Sequence, residues 1–400
     1  MIPRQLAPWV LAAAAAALTG CGGGGTTVTD TAGVTPPPGG GATFTPGNWT
    51  WELPSGFAVP KVPEGNPMST AKVDLGRFLF YDKRLSGNGT QSCASCHHQD
   101  KAFTDGKAVA IGSTGDMHPR AAQPLMNVAY NATLTWVNPS LVTLEKQMEV
   151  PLFGDNPVEM GVNDSNKADV LRRITTDPVY PAKFAAAFPG LGEPVGWGQV
   201  IQAISAFQRS LISGNSKYDQ YTQGKATLTP AESRGLALFM GEKAECFHCH
   251  GSFNFNDHVV HAASRVVETP FHNTGLYNIG GTGNFPEGNQ GLFEFTAKAT
   301  DRGLFRAASL RNIELTAPYM HDGSIATLEA VLDFYAAGGR NITSGPRAGD
   351  GRKHPNKSDL ITLIDLNAQE KADIVAFLKT LTDHDFITNP KFADPFAAAK

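Results

Sequence analysis

Four of the five cysteines in this 400-residue chain fall in two short runs, Cys93-Ala94-Ser95-Cys96-His97 and Cys246-Phe247-His248-Cys249-His250. In Cys-x-x-Cys-His the two thiols can form thioether bonds to the vinyl groups of a porphyrin. The adjacent His is then held where an imidazole nitrogen meets iron. A zinc half-site would need a second pair of ligands nearby, and a thioredoxin-like pair would need a βαβ context that the flanking sequence does not supply. Two copies, with no other Cys beyond the first residues, point to two covalent c-type haems with His97 and His250 as proximal iron ligands. The opposite axial positions decide what such irons do. Two strong protein ligands leave only electron transfer, whereas an open face can bind peroxide and activate it.

The elements that must position these motifs repeat. Ser69 can cap a helix carrying Val73, Leu75, Phe78 and Leu79, which leads through a Gly-rich loop to Cys93. Thr229-Pro230-Ala231-Glu232 reads as an N-cap, a first-turn Pro and a first-turn acid, with Leu236, Leu238 and Phe239 following before Cys246. Each half closes with an amphipathic stripe, Val200, Ile204, Phe207 and Leu211 in the first, and Ile374, Phe377, Leu378 and Leu381 in the second. Opening helix, motif loop and closing helix make the small helical unit expected of a cytochrome c. The predicted fold class is mostly α: two cytochrome c-like haem domains with long loops, over residues 49–215 and 216–400. The loops 98–135 and 251–310 are too long for simple connectors and are expected to cover the haem faces.

The ends suggest export. Arg4 precedes Trp9-Val10-Leu11 and a run of alanines too short to span a bilayer comfortably, and Leu18-Thr19-Gly20-Cys21 follows. That order resembles the lipobox of bacterial lipoproteins, so residues 1–21 are expected to be a signal peptide ending at a lipidated Cys21. The protein would then be held to a membrane in the periplasm. Residues 22–48, rich in Gly, Pro and Thr, cannot bury enough apolar surface to fold and are expected to be a flexible linker. A net charge of -4 with scattered Lys and Arg offers no basic stripe for nucleic acid.

Beyond the haem motifs, the chain resembles the bacterial di-haem cytochrome c peroxidase and MauG family. The matching residues are Leu75-Gly76-Arg77-Phe78-Leu79-Phe80 with Asp82, Asn127-Val128-Ala129-Tyr130-Asn131, Asn156-Pro157-Val158-Glu159-Met160, and Leu310-Arg311-Asn312 through Pro318-Tyr319-Met320-His321-Asp322-Gly323. The resemblance implies that the first haem reacts with hydrogen peroxide and that Gln147 and Glu159 line its distal pocket. A carboxylate there can move a proton from the near to the far peroxide oxygen, general acid–base help worth roughly 10²–10⁴-fold. It also implies that Trp136 lies between the haems and relays electrons or holes. Ser113 falls where peroxidases of the family place a distal His, with His118 the nearest imidazole, so the first haem is expected to be open in the resting state. Where those peroxidases ligate the second iron with Met, Tyr335 stands here, as in MauG, with Met320 a rival. A phenolate is harder and more anionic than a thioether and should favour oxidised iron. Thr316 and Pro318 match two carbonyls of the family's calcium site, although Ala121 replaces its Asn.

Within the family, Trp51-Glu52-Leu53-Pro54, the run Phe80 to Ser92 and Pro151-Leu152-Phe153-Gly154 look like MbnH-type enzymes. That likeness implies a bis-ferryl oxidase that converts a Trp to kynurenine on a small, metal-binding, MbnP-like periplasmic partner. Ala244 stands where MauG has a surface Trp before its second motif, so the hole route to a partner must differ. The alternative is a peroxidase that reduces hydrogen peroxide with electrons from a small periplasmic cytochrome or copper protein. A pure electron carrier would need both irons six-coordinate, which Glu159 argues against.

Overall fold

Ser69 accepts a hydrogen bond from the Lys72 amide and starts helix α1 (Thr70–Tyr81); Thr229 does the same for Glu232 and starts α7 (Pro230–Phe239). The computed structural model describes residues 48–190 and 195–397; the expected signal peptide, Cys21 and nearly all of the 22–48 linker lie outside them. Between α1 and α7 the chain forms α2 (Leu144–Phe153), α3 (Lys167–Thr175), α4 (Tyr180–Ala187), α5 (Trp197–Arg209) and α6 (Lys217–Thr222). After α7 come α8 (Phe247–His250), α9 (Phe293–Thr296), α10 (Leu328–Ala336), α11 (Ala368–Lys379) and α12 (His384–Thr388). Among the described residues the only sheet is a two-stranded antiparallel pair, β1 (Asn341–Ile342) and β2 (Gly349–Asp350), with Asn341 opposite Asp350. The architecture is mostly helical with little sheet, as expected.

The interior divides into two main hydrophobic clusters built alike. In the first, α1 crosses α5 at Gly76; in the second, α7 crosses α11 at Gly235. Phe80 packs on Phe207 and Phe103 at ring-centroid distances of 5.2 and 5.9 Å, while Phe239 packs on Phe377 and Phe255 at 5.1 and 6.1 Å. The opening and closing helices thus clamp a third aromatic, which comes from the loop just after each haem motif. This cross-chain packing is what makes each opening helix stable, since helices this short gain most of their stability from tertiary contacts.

A buried polar knot joins the halves. Asn127 and Asn312 both take left-handed φ, near 55° and 56°, which Asn tolerates better than most residues. The Asn127 amide side chain exchanges two 2.8 Å hydrogen bonds with the Ser213 backbone. Asn312 donates to the Ser213 hydroxyl and accepts from the Asp383 amide. Asp383 in turn accepts from the Ser213 hydroxyl and the amides of Gly214 and Asn215. Residues after α11 return to the first half: Phe386 packs on Phe103, and the Tyr81 hydroxyl donates to the Phe392 carbonyl.

Candidate haem sites

Both motif histidines are fixed in the same way. His97 Nδ1 lies 2.6 Å from the Phe103 carbonyl oxygen, and His250 Nδ1 lies 2.8 Å from that of Phe255. A carbonyl can only accept, so in each ring Nδ1 carries the proton and Nε2 keeps the lone pair a metal needs. Phe103 and Phe255 reach these positions with φ of 65° and 52°, a left-handed backbone that a bulky residue keeps only when its surroundings hold it there. Burial lowers both imidazole pKa values, so both rings are neutral near pH 7. Burial also pushes the Cys93 and Cys246 thiols up to about 12 and Cys96 to about 11. These are apolar recesses, in which the thiols stay protonated.

Around the first motif, the loop 111–118 lies against the loop that carries Glu159. The Ser113 amide donates to the Glu159 carbonyl at 2.7 Å, and the Val158 amide donates to an Asp116 carboxylate oxygen at 3.2 Å. Burial pushes the Glu159 carboxyl up to about 7, and its charge raises both Cys93 and Cys96, which puts it beside the motif. His118 Nε2 stands 3.6 Å from Glu159 Oε1. His118 Nε2 and the Ser113 hydroxyl are buried polar atoms with no hydrogen-bond partner among the described residues. Gln147 sits half-buried on α2, a helix tied to the Glu159 loop where the Met160 amide donates to the Pro151 carbonyl.

A large apolar cavity opens beside the second motif. Its wall includes Cys246, Cys249, His250 and, on α10, Tyr335. The Tyr335 hydroxyl makes no hydrogen bond with the described residues, and burial raises its pKa well above the usual phenol range, with the Cys249 and Cys246 thiols adding to the effect. Met320, with φ near 70°, shares this wall, as do Thr316 and Pro318. The Ala121 carbonyl, beside them, already accepts from Trp136 Nε1 at 3.0 Å.

Trp136 belongs to the same cavity, whose wall also takes in residues 104–107 from the loop that follows His97. Its indole stands edge-on to His321 with centroids 6.5 Å apart, and His321 stacks on Phe305 at 3.6 Å. Trp136 is therefore placed where the first motif's loop meets the second motif's cavity. Burial drives His321 down to about 3, so this ring is uncharged.

Sequence reasoning missed three features. His272 pairs with Asp257 beside Cys249, and that carboxylate, more than the thiol, raises the imidazole to about 10. His118, named from the sequence only as the imidazole nearest the distal position, pairs with Glu159. Arg306 is buried on the second cavity's wall. Only Arg306 left a trace in the sequence: a lone cation within Leu304-Phe305-Arg306-Ala307-Ala308.

With this geometry in place, the relatives are informative. Residues 70–227 match the family model of di-haem cytochrome c peroxidase. Over 320 residues, 80% of each chain, the sequence is 34% identical to the methylamine utilization protein MauG of Methylorubrum extorquens. The chain belongs to the di-haem cytochrome c peroxidase and MauG family. Another relative in the family, the cytochrome-c peroxidase IdrP1 of a Pseudomonas species, is 33% identical over 359 residues, covering 84% of this chain and 89% of its own. The crystal structure of a MauG-like protein associated with microbial copper homeostasis shares 59% identity with a TM-score of 0.86, over 87% of this chain and 99% of that one. As a family member the protein is a haem-dependent oxidoreductase. The donor sets fit two haems: each has paired thiols, an imidazole with its lone pair free, and apolar surroundings.

Proposed function

We propose that this chain is a periplasmic, MauG-like di-haem oxidase that uses hydrogen peroxide to oxidise a residue on a partner protein, with Trp to kynurenine the favoured conversion. The observation that carries this reading is Tyr335, an unbonded phenol on the wall of the second cavity, facing Cys246 and Cys249. When bound, the haems supply the iron that reacts with peroxide and the capacity to hold two oxidising equivalents. The chain does the rest. Cys93 and Cys96 would hold the first haem, with His97 as an iron ligand, and Cys246 and Cys249 the second, with His250 and Tyr335 as the residues that would ligate its iron. Glu159, its carboxyl raised to about 7, would be the general acid–base group beside the first motif, able to take up a proton from peroxide and give it back. Gln147 borders the same pocket, and the unpartnered Ser113 hydroxyl and His118 Nε2 offer polar contacts for water or peroxide. Trp136, at the meeting of the two sites, carries electrons between them. The copper association of the 59% identical MauG-like relative supports a small metal-binding partner of the MbnP type. We infer two domains, 49–215 and 216–400, held to a membrane through Cys21.

A second reading, a peroxidase fed by a small cytochrome or copper protein, is favoured by Met320, a thioether on the same cavity wall as Tyr335. The test treats the fully oxidised protein with one equivalent of peroxide and titrates the retained oxidising equivalents with a reductant. The oxidase reading expects two equivalents, held for long enough to oxidise an added partner, with the product read by mass spectrometry. Rapid turnover with a reduced cytochrome, only after half-reduction of the enzyme, establishes the second reading instead.

A further inference from the structure

Three arginines are buried among the described residues: Arg209, Arg306 and Arg311. Arg209 holds Glu145 at 2.7 Å and Arg311 holds Asp219 at 2.9 Å. Arg306 has no ion pair among the described residues. Its Nε donates to the Thr135 carbonyl at 3.0 Å and Nη2 to the Gln123 side-chain oxygen, while Nη1 stands 3.1 Å from His258 Nε2, a nitrogen that itself donates to the Ala307 carbonyl at 2.9 Å. These partners are neutral, and the two acceptors among them use two of the five N–H donors of a guanidinium. Burial lowers His258 to about 2, so that ring adds no charge of its own. Asp257, the carboxylate whose charge acts on Arg306, is already paired with His272.

An uncompensated buried cation is costly unless something else supplies the opposite charge. Arg306 lies on the wall of the second cavity with Trp136, Cys249 and His250. The other charged groups there are Asp105 with the adjacent Lys107, Glu245, and His272 with its Asp257. We propose that Arg306 is the binding site for a carboxylate of the cavity's occupant, a propionate of the second porphyrin, its remaining N–H donors completing a charge-assisted pair. A planar fork suits a carboxylate better than a lysine would. Arg306 is thus a positioning residue that also sets the charge felt by the second iron. Through Gln123, on the segment that lines the first-motif side of the cavity, it links the two sites.

This assignment rests on haem occupying the second cavity, and the test separates the two. Arg306→Met and Arg306→Lys are made in the full-length, haem-loaded protein, and covalent haem is counted on denatured chains. Midpoint potentials of both haems are followed optically across the neutral pH range. Arg306→Met is expected to retain two haems, lower the second haem's potential, and make that potential fall with rising pH where the wild type is flat, because an unpaired propionic acid now titrates. Arg306→Lys should give a smaller shift of the same sign. Unchanged potentials and slopes in variants that keep both haems overturn the assignment. If neither variant retains the second haem, the propionate vibrations of the wild type decide by resonance Raman: a paired carboxylate stays fixed across the same pH range, and one that titrates overturns the proposal. A wild-type chain lacking covalent haem at Cys246 and Cys249 defeats the haem reading itself.

Discussion

Gly235 of α7 passes so close to Asp373 of α11 that a Cβ on the glycine would lie 1.9 Å from the Asp373 carbonyl oxygen; Gly76 stands in the same relation to Ala203 of α5. The contact sets how deeply each opening helix sinks against its closing helix, and so where the adjoining aromatic cluster and haem motif come to rest. Gly235→Ala must push the helices apart and is expected to cost about 1–3 kcal/mol, in the range of overpacked cores. Gly198, exposed on α5 with open space for at least 4 Å around the point a methyl would occupy, makes the control. Gly198→Ala should stabilise by about 0.5–1 kcal/mol through helix propensity alone. Thermal unfolding of the two variants should move in opposite directions.

Arg311 and Asp219 form a buried pair that closes the second half over Phe253, whose carbonyl also accepts from the guanidinium. Burial alone would raise the Asp219 carboxyl, but hydrogen bonds from Arg311 and Ser216 hold it below the usual range. A depressed acid contributes stability that is complete above its unfolded pKa of about 4 and is lost as pH falls toward the folded value. Asp219→Ala should therefore cost about 3–5 kcal/mol near neutrality, because it strands a buried cation. Its penalty should shrink in acid, where the wild type also loses the pair. Denaturant melts at several pH values check both statements.

At Glu159 burial acts with no cation to offset it, so the carboxyl is raised where that of Asp219 is lowered. Its pKa near 7 leaves the carboxyl protonated in mild acid, and the proposed role requires the ionised form to accept a proton from peroxide. The rate of the first peroxide-dependent spectral change should rise about tenfold per pH unit below that pKa and level off above it. Glu159→Gln should lower the plateau by roughly 10²–10⁴-fold and abolish the inflection. Stopped-flow traces that keep the inflection in the variant would assign it to another group.

Much of this arrangement could be read from the residues. Ser69 and Thr229 cap the helices expected of them, and Phe207 and Phe377 lie on the predicted stripes, because N-caps and helical periodicity are local signals. The helices α2, α3 and α4 went unread, being eight to ten residues long with few buried apolar positions, and α2 contains Pro151. Several motif residues proved to have structural work: Asp82 caps a turn and binds Arg84 and Tyr180, and Asn127 and Asn312 tie the halves at Ser213. The pairings His118 with Glu159 and His272 with Asp257 join loops whose separation carries no period, so only the folded chain discloses them.

Tyr335 allows the sharpest test of the proposed chemistry. It projects from the end of α10, whose buried residues Leu328 and Leu332 fix the helix on the cavity wall. With no hydrogen-bond partner among the described residues and a pKa raised by burial, the free phenol stays protonated at any physiological pH, so only a bound metal cation can ionise it there. If it ligates the second iron, Tyr335→Phe leaves covalent haem content intact but converts that iron from low to high spin. Tyr335→Met, by offering a thioether, should raise its midpoint potential by on the order of a few tenths of a volt, within the ~0.8 V that axial ligands span. Electron paramagnetic resonance and a spectroelectrochemical titration of the three proteins measure both effects. Identical spin states and potentials throughout would remove Tyr335 from the iron and transfer the role to Met320 or another donor on the same wall.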